Sequence, residues 1–190
     1  RACIGFMTLS HMDPETDEVT SNYHLYFSDD VTQDANQVIA AKASHYNNFI
    51  TTLFEYVPGS PIKVHFQADG AGCFNSNVAK ACIPQWRSWT DGRVVECTYR
   101  ISVNGGGKSS LDGKFGQLGR LLKIAVNNGH DFDDANSILA AYESTAGIKS
   151  TTSVIFNPIR DEMLETSISG LTKYYMISLN DDNSLQCWSH

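Results

Sequence analysis

Hydrophobic and polar positions alternate most cleanly over residues 95–103, where Val95, Cys97, Tyr99, Ile101 and Val103 are separated by Glu96, Thr98, Arg100 and Ser102. A period of two marks a strand with one wet face. Ahead of it the pattern predicts an N-terminal hairpin: strand-like residues 2–9, turn chemistry at Asp13-Pro14-Glu15, and a returning strand over 19–27 that ends at Ser28-Asp29-Asp30. Thr32 then offers a helix N-cap, and Asp34 adds negative charge where the helix dipole favours it. Ala35, Val38, Ile39, Tyr46, Phe49, Ile50, Leu53 and Phe54 follow at helical spacing until Pro58-Gly59-Ser60-Pro61 stops the helix.

Residues 62–68 read as a short strand that runs into the loop Asp69-Gly70-Ala71-Gly72. A second helix is expected from near Asn75, carrying Val78, Ala79, Cys82 and Trp86, with a kink or break at Pro84. After the alternating strand, Asn104-Gly105-Gly106-Gly107 is loop chemistry. Leu111, Phe115, Leu118, Leu122 and Ala125 mark a third helix ending at Asn128-Gly129. Asp131 is the expected cap of a fourth, with Ala135, Ile138, Leu139 and Tyr142 inward, and residues 152–156 and 171–179 read as trailing strands. The pattern holds no internal repeat and no low-complexity linker, so a single mixed α/β domain over residues 1–190 is expected.

Composition agrees with that size. At 190 residues and 42% hydrophobic the chain can bury one sizeable core. It has no apolar run near the roughly 18–20 residues of a membrane span, and residues 1–7 lack the charged-then-apolar order of a signal peptide. The net charge of -7 counts against an autonomous nucleic-acid binder, whose affinity comes largely from neutralising phosphates. A catalytic core that gathers carboxylates for a metal escapes that objection. The cysteines at 3, 73, 82, 97 and 187 form no CxxC pair and are read as reduced, buried thiols rather than zinc ligands. With no Asn-x-Ser/Thr acceptor in the chain, an intracellular location is expected.

Two segments combine a carboxylate with glycine-rich backbone. Asp69 closes a strand, and Asp112 sits in Gly107-Lys108-Ser109-Ser110-Leu111-Asp112-Gly113, where a helix starts. Carboxylates at strand ends and helix starts can converge above a sheet edge on a hard divalent cation, and two such ions about 3.5–4 Å apart can clamp a phosphodiester. The competing reading is purely structural: Asp69 caps a loop and Asp112 caps a helix. Lys108 and Ser109 invite a phosphate, since amides at a helix N-terminus attract anions, although Lys108 as a solvated loop lysine remains the commoner case. A true P-loop would need glycine where Ser102 stands. A Cys73–His65 nucleophile lacks a third group, and Trp86, Trp89, Tyr174 and Tyr175 are aromatics more often buried than stacked on bases.

Gln67-Ala68-Asp69-Gly70-Ala71-Gly72-Cys73-Phe74-Asn75, then Gly107-Lys108-Ser109-Ser110-Leu111-Asp112-Gly113-Lys114-Phe115-Gly116, with Tyr26-Phe27-Ser28-Asp29-Asp30 upstream, together resemble the core of eukaryotic transposon-encoded proteins of the DDE transposase/integrase type. The likeness covers about residues 23–127. It implies an RNase H-like mixed sheet flanked by helices, with a core over 1–145 and a C-terminal extension carrying an extra strand pair over 146–190. It also implies Mg²⁺ or Mn²⁺ as cofactor and DNA as partner. By that resemblance Asp69 and Asp112 are the candidate catalytic residues, and Asp69, Asp112 and Asp30 the candidate metal ligands. Lys108 and Ser109 are the candidate phosphate contacts, and the active protein would be nuclear. Three departures stand against the family pattern. The strand with the first catalytic aspartate has no clear counterpart, Ala68 replaces a usual serine, and Asn75 lies near an expected lysine. The alternative expectation is therefore a domesticated, inactive domain that binds protein partners in a larger assembly.

Overall fold

The computed structural model describes residues 2–11, 19–45, 48, 61–83, 93–102, 109–145, 147–157, 168–182 and 184–189. The chain is α/β with two mixed sheets and divides into two compact units. One comprises Arg1–Thr32 and Lys108–Asn157, the other Gln33–Gly107 and Pro158–His190. No helix among the described residues is long and apolar enough to cross a membrane.

In the first unit, strand β1 (Ala2–His11) pairs antiparallel with β2 (Val19–Ser28), Ala2 opposite Ser28 and His11 opposite Val19. On its other edge β2 pairs parallel with β5 (Thr151–Ile155). A strand hydrogen-bonded on both edges and covered on both faces loses its alternation. Leu25, Tyr26 and Phe27 are accordingly all buried. The expected turn at residues 13–15 lies outside the described residues.

Two helices, α3 (Ser110–Asn127) and α4 (Ala135–Ser144), complete this unit. Leu118, Ala135, Ile138 and Tyr142 bury against Leu25 and Phe27, with Phe115 and Leu122 packed alongside. Helix α3 comes so near β1 that a Cβ on Gly5 would meet the Phe115 ring at 2.7 Å, so a larger residue there would have to displace that ring. The Tyr142 hydroxyl donates to the Thr151 carbonyl (3.0 Å) and accepts from the Ile148 amide (3.1 Å), tying α4 to β5. The cap of α4 is Asp134, not the expected Asp131, because the helix begins at Ala135. From there the Asp134 carboxylate accepts from the Ser137 amide at 2.7 Å, three residues on.

In the second unit, β3 (Ile62–Ala68) and β4 (Val94–Ile101) run parallel, and β6 (Met176–Leu179) and β7 (Leu185–Trp188) continue the sheet antiparallel in the order β3-β4-β6-β7. Helices α1 (Ala35–His45) and α2 (Asn77–Ala81) belong to it. Its core gathers Ala81, Ile83, Val94, Cys97, Tyr99, Ile101, Ile177 and Leu179, each large apolar side chain contributing about 1.5–3 kcal/mol on burial. The alternation expected from Val95 onward holds at Cys97, Tyr99 and Ile101, but Val94 takes the fully buried place upstream. A register shift between Ile62 and Lys63 pairs them with Val94 and Glu96, which leaves Val95 as the extra residue of a bulge and reverses the phase.

The expected trailing strands part company. Residues 151–155 join β2 in the first unit, whereas Leu171–Lys173 form a short 3-10 turn after Gly170, whose φ of +85° suits glycine. Helix α1 starts at Ala35, with the Asp34 carboxylate accepting from the Gln37 amide at 2.9 Å, a capping position the sequence had offered to Thr32. The described helix ends at His45; most of its expected continuation (residues 46–47 and 49–57) and the stop at residues 58–60 lie outside the described residues, as do Pro84, Trp86 and Trp89.

Candidate functional site

In open α/β sheets, ligands meet the chain where parallel strands end, because the loops there leave backbone groups and side chains uncommitted to the ladder. In the second unit that place is the carboxyl edge of β3 and β4. Asp69 follows β3 directly, and its side chain is exposed. Its carboxylate accepts from the Ala71 amide, and the chain then turns twice, the Phe74 and Asn75 amides both donating to the Ala71 carbonyl at 3.0 Å. Gly72 faces open space. Beside it, the Ser102 amide donates to the Ala68 carbonyl (2.8 Å), and the Gln67 side-chain amide donates to the Ser102 hydroxyl (3.1 Å).

Two buried side chains hold this loop from beneath. The Tyr99 hydroxyl donates to the Phe74 carbonyl at 3.0 Å. Lys80, 1% exposed, donates from Nζ to the Asn75 side-chain oxygen (2.5 Å) and to the carbonyls of Leu171 (3.0 Å) and Tyr174 (2.6 Å). The loop bearing Asp69 is thus fixed to β4, to α2 and to residues 171–174. Tyr174 and Tyr175 are both half-buried.

Cys73 lies in the same loop, half-buried. Burial pushes its thiol up, and the negative charges of Asp69 and Asp34 push it further. That is the reverse of an activated nucleophile, and His65 is exposed on β3. Backbone hydrogen bonds to Phe74 and Cys73 oppose that rise without cancelling it, and the two charge effects put Asp69 and Asp34 within electrostatic reach of one thiol. Asp34 was legible in the sequence only as a helix-start charge. All five cysteines are thiols; Cys82 and Cys97 are buried, Cys3 and Cys73 half-buried and Cys187 exposed, so burial of the set is partial.

The remaining predicted residues belong to the first unit, and the described ones, Asp112, Ser109 and Asp30, bond backbone amides there. Asp112 and Ser109 are brought together as a reciprocal capping box: the Ser109 amide donates to the Asp112 carboxylate (2.7 Å), and the Ser109 hydroxyl accepts from the Leu111 amide (3.2 Å). Asp30 accepts from the Thr32 amide at 2.9 Å. Its neighbour Asp29 accepts from the Ala135 amide at 2.8 Å, so the Ser-Asp-Asp strand end serves the first free amide of α4. Lys108 lies outside the described residues.

A hard cation takes about six or more oxygens, several of them from carboxylates. Within either unit, among the described residues, no three His, Cys, Asp or Glu side chains gather in a group that could hold one. Asp69 offers one exposed carboxylate at the strand edge, so among the described residues the fit to a two-ion clamp is incomplete. Sequence reasoning missed the two residues that shape this edge, Lys80 and Tyr99, the first because an isolated helix lysine reads as solvated. Compared with protein families, with curated proteins and with solved structures, the chain matches none.

Proposed function

We propose that the chain is a transposon-derived, RNase H-like domain whose carboxyl edge around Asp69 is where a divalent cation and a phosphodiester would meet. The observation that carries this reading is the placement of Asp69. It is the first residue after a parallel strand, exposed, in a loop braced by Tyr99 and Lys80. A rigid first ligand is what such a site needs, since metal affinity falls when ligands must be ordered on binding. Asp112 leaves the proposed ligand set, because its carboxylate and Ser109 complete each other's helix start. If the site is intact, DNA is the partner and Mg²⁺ or Mn²⁺ the cofactor.

The second reading, a domesticated domain that binds proteins without cutting DNA, is favoured by the structural employment of Asp29, Asp30 and Asp112. Calorimetric titration of Mn²⁺ into the purified chain separates the two. Under the first reading Mn²⁺ binds, Asp69→Asn abolishes the binding, and Asp112→Asn leaves it intact while lowering thermal stability. Binding that survives Asp69→Asn overturns the assignment of Asp69. No binding by the parent chain favours the protein-binding domain.

A further inference from the structure

Lys42 of α1 is a second buried lysine of the Asp69 unit, 3% exposed, and its amine has no hydrogen-bond partner among the described residues. Its Nζ stands 3.8 Å above the centre of the Tyr99 ring and 5.1 Å from that of Phe66. The other titratable groups that reach it are the thiols of Cys82 at the end of α2 and Cys97 on β4, both fully buried. Burial pushes the Cys82 thiol up, and the nearby Lys42 opposes that rise. The Tyr99 hydroxyl beneath is pushed up as well, chiefly by burial, and keeps its proton.

Two forces act on a proton at this amine, in opposite directions. The ring face of Tyr99 attracts an ammonium. That attraction is weaker than the cost of taking an ammonium out of water without a hydrogen bond or a carboxylate, so the balance shifts towards the free amine. Burial accordingly lowers the proton affinity of Lys42, and the nearby thiols restore only part of it.

We propose that Lys42 is a charge-dependent latch on the Asp69 loop: as the free amine it fills the space over Tyr99, and on taking a proton it leaves the core and loosens the ring whose hydroxyl holds Phe74. The regulated element is the loop of the proposed site, so the biological meaning of the latch rests on that reading. Its physical basis does not. In the unfolded or opened chain Lys42 is an ordinary lysine titrating near 10.4. Below that pH the opened form holds one more proton than the closed form. Closing therefore strengthens as pH rises, by up to about tenfold in its equilibrium constant per pH unit, and levels off once the opened form also loses its proton.

Full-length chain labelled at lysine ¹³Cε, beside a Lys42→Met variant, tests this. Burial lowers the proton affinity of Lys80 as well as that of Lys42, so two lysine resonances of the parent should titrate below the rest, and one of the two should be missing from the variant. Hydrogen exchange at the Asn75 amide, which donates to the Ala71 carbonyl, should lose protection on acidification in the parent, by up to about tenfold per pH unit after correction for intrinsic exchange. In Lys42→Met that protection should be flat with pH. The latch is overturned if the resonance missing from the variant titrates in the ordinary range, or if both proteins show the same pH dependence at Asn75. Should Lys42→Met fail to fold, Lys42→Leu takes its place in both measurements. None of these readouts uses a cation or DNA, so failure of the latch and failure of the Asp69 site are separable.

Discussion

Lys80 and Lys42 lie in the same unit and are about equally buried, at 1% and 3% exposed, yet their surroundings are opposites. Lys80 spends its three donors on Asn75, Leu171 and Tyr174. Lys42 has two ring faces and two thiols, and among the described residues no acceptor. Burial of a charge is therefore two different structural statements. Where donors are matched, the lysine ties segments together and removing it leaves acceptors stranded. Where they are not, the protein holds a group whose natural charge opposes the fold.

The comparison is broken most severely at Lys80. Lys80→Met keeps the stem but strands the Tyr174 carbonyl and the Asn75 amide oxygen, leaving the Leu171 carbonyl only the Tyr174 amide, and should lower the stability of this unit by about 2–4 kcal/mol, read by urea unfolding. A loss under about 1 kcal/mol would mean that the three hydrogen bonds do not hold the loop. Next in size is Tyr99→Phe, which removes the hydroxyl from the Phe74 carbonyl and keeps the ring face under Lys42. It should cost about 1–2 kcal/mol and leave the low-titrating Lys42 resonance in place; disappearance of that resonance would show that the ring alone does not define the Lys42 environment. Smallest is Lys42→Met. At neutral pH its unfolding free energy should lie within about 1 kcal/mol of the parent's or above it, because a similar volume is filled without a desolvated amine. A loss comparable to that of Lys80→Met would erase the distinction between the two lysines.

A parallel contrast separates the two aspartates that the sequence singled out. Asp112 sits three residues past a serine at a helix start, and that spacing alone dictates a capping box, which the structure contains. Asp69 follows a strand, where local spacing leaves its partner undetermined. The two motifs look equally functional on paper. Only one keeps an exposed carboxylate in a loop braced from below.

What the sequence determined by itself is the local layer. The alternation across Cys97, Tyr99 and Ile101 and the helical spacing of Leu118 and Ala125 each depend on residues within a few positions of one another, so periodicity was enough, whereas the caps expected at Thr32 and Asp131 fall to Asp34 and Asp134. The strand pairings were beyond it, because β2 meets β5 across more than a hundred residues, and a bulge opposite Ile62 and Lys63 reverses the phase at Val94. Beyond it too was the fate of individual polar side chains. Lysine at 42 and lysine at 80 are chemically identical and both lie on helices. Whether each is solvated, tied to carbonyls or sealed over an aromatic ring depends on which distant segments close around it, and that is decided only when the tertiary structure removes the water.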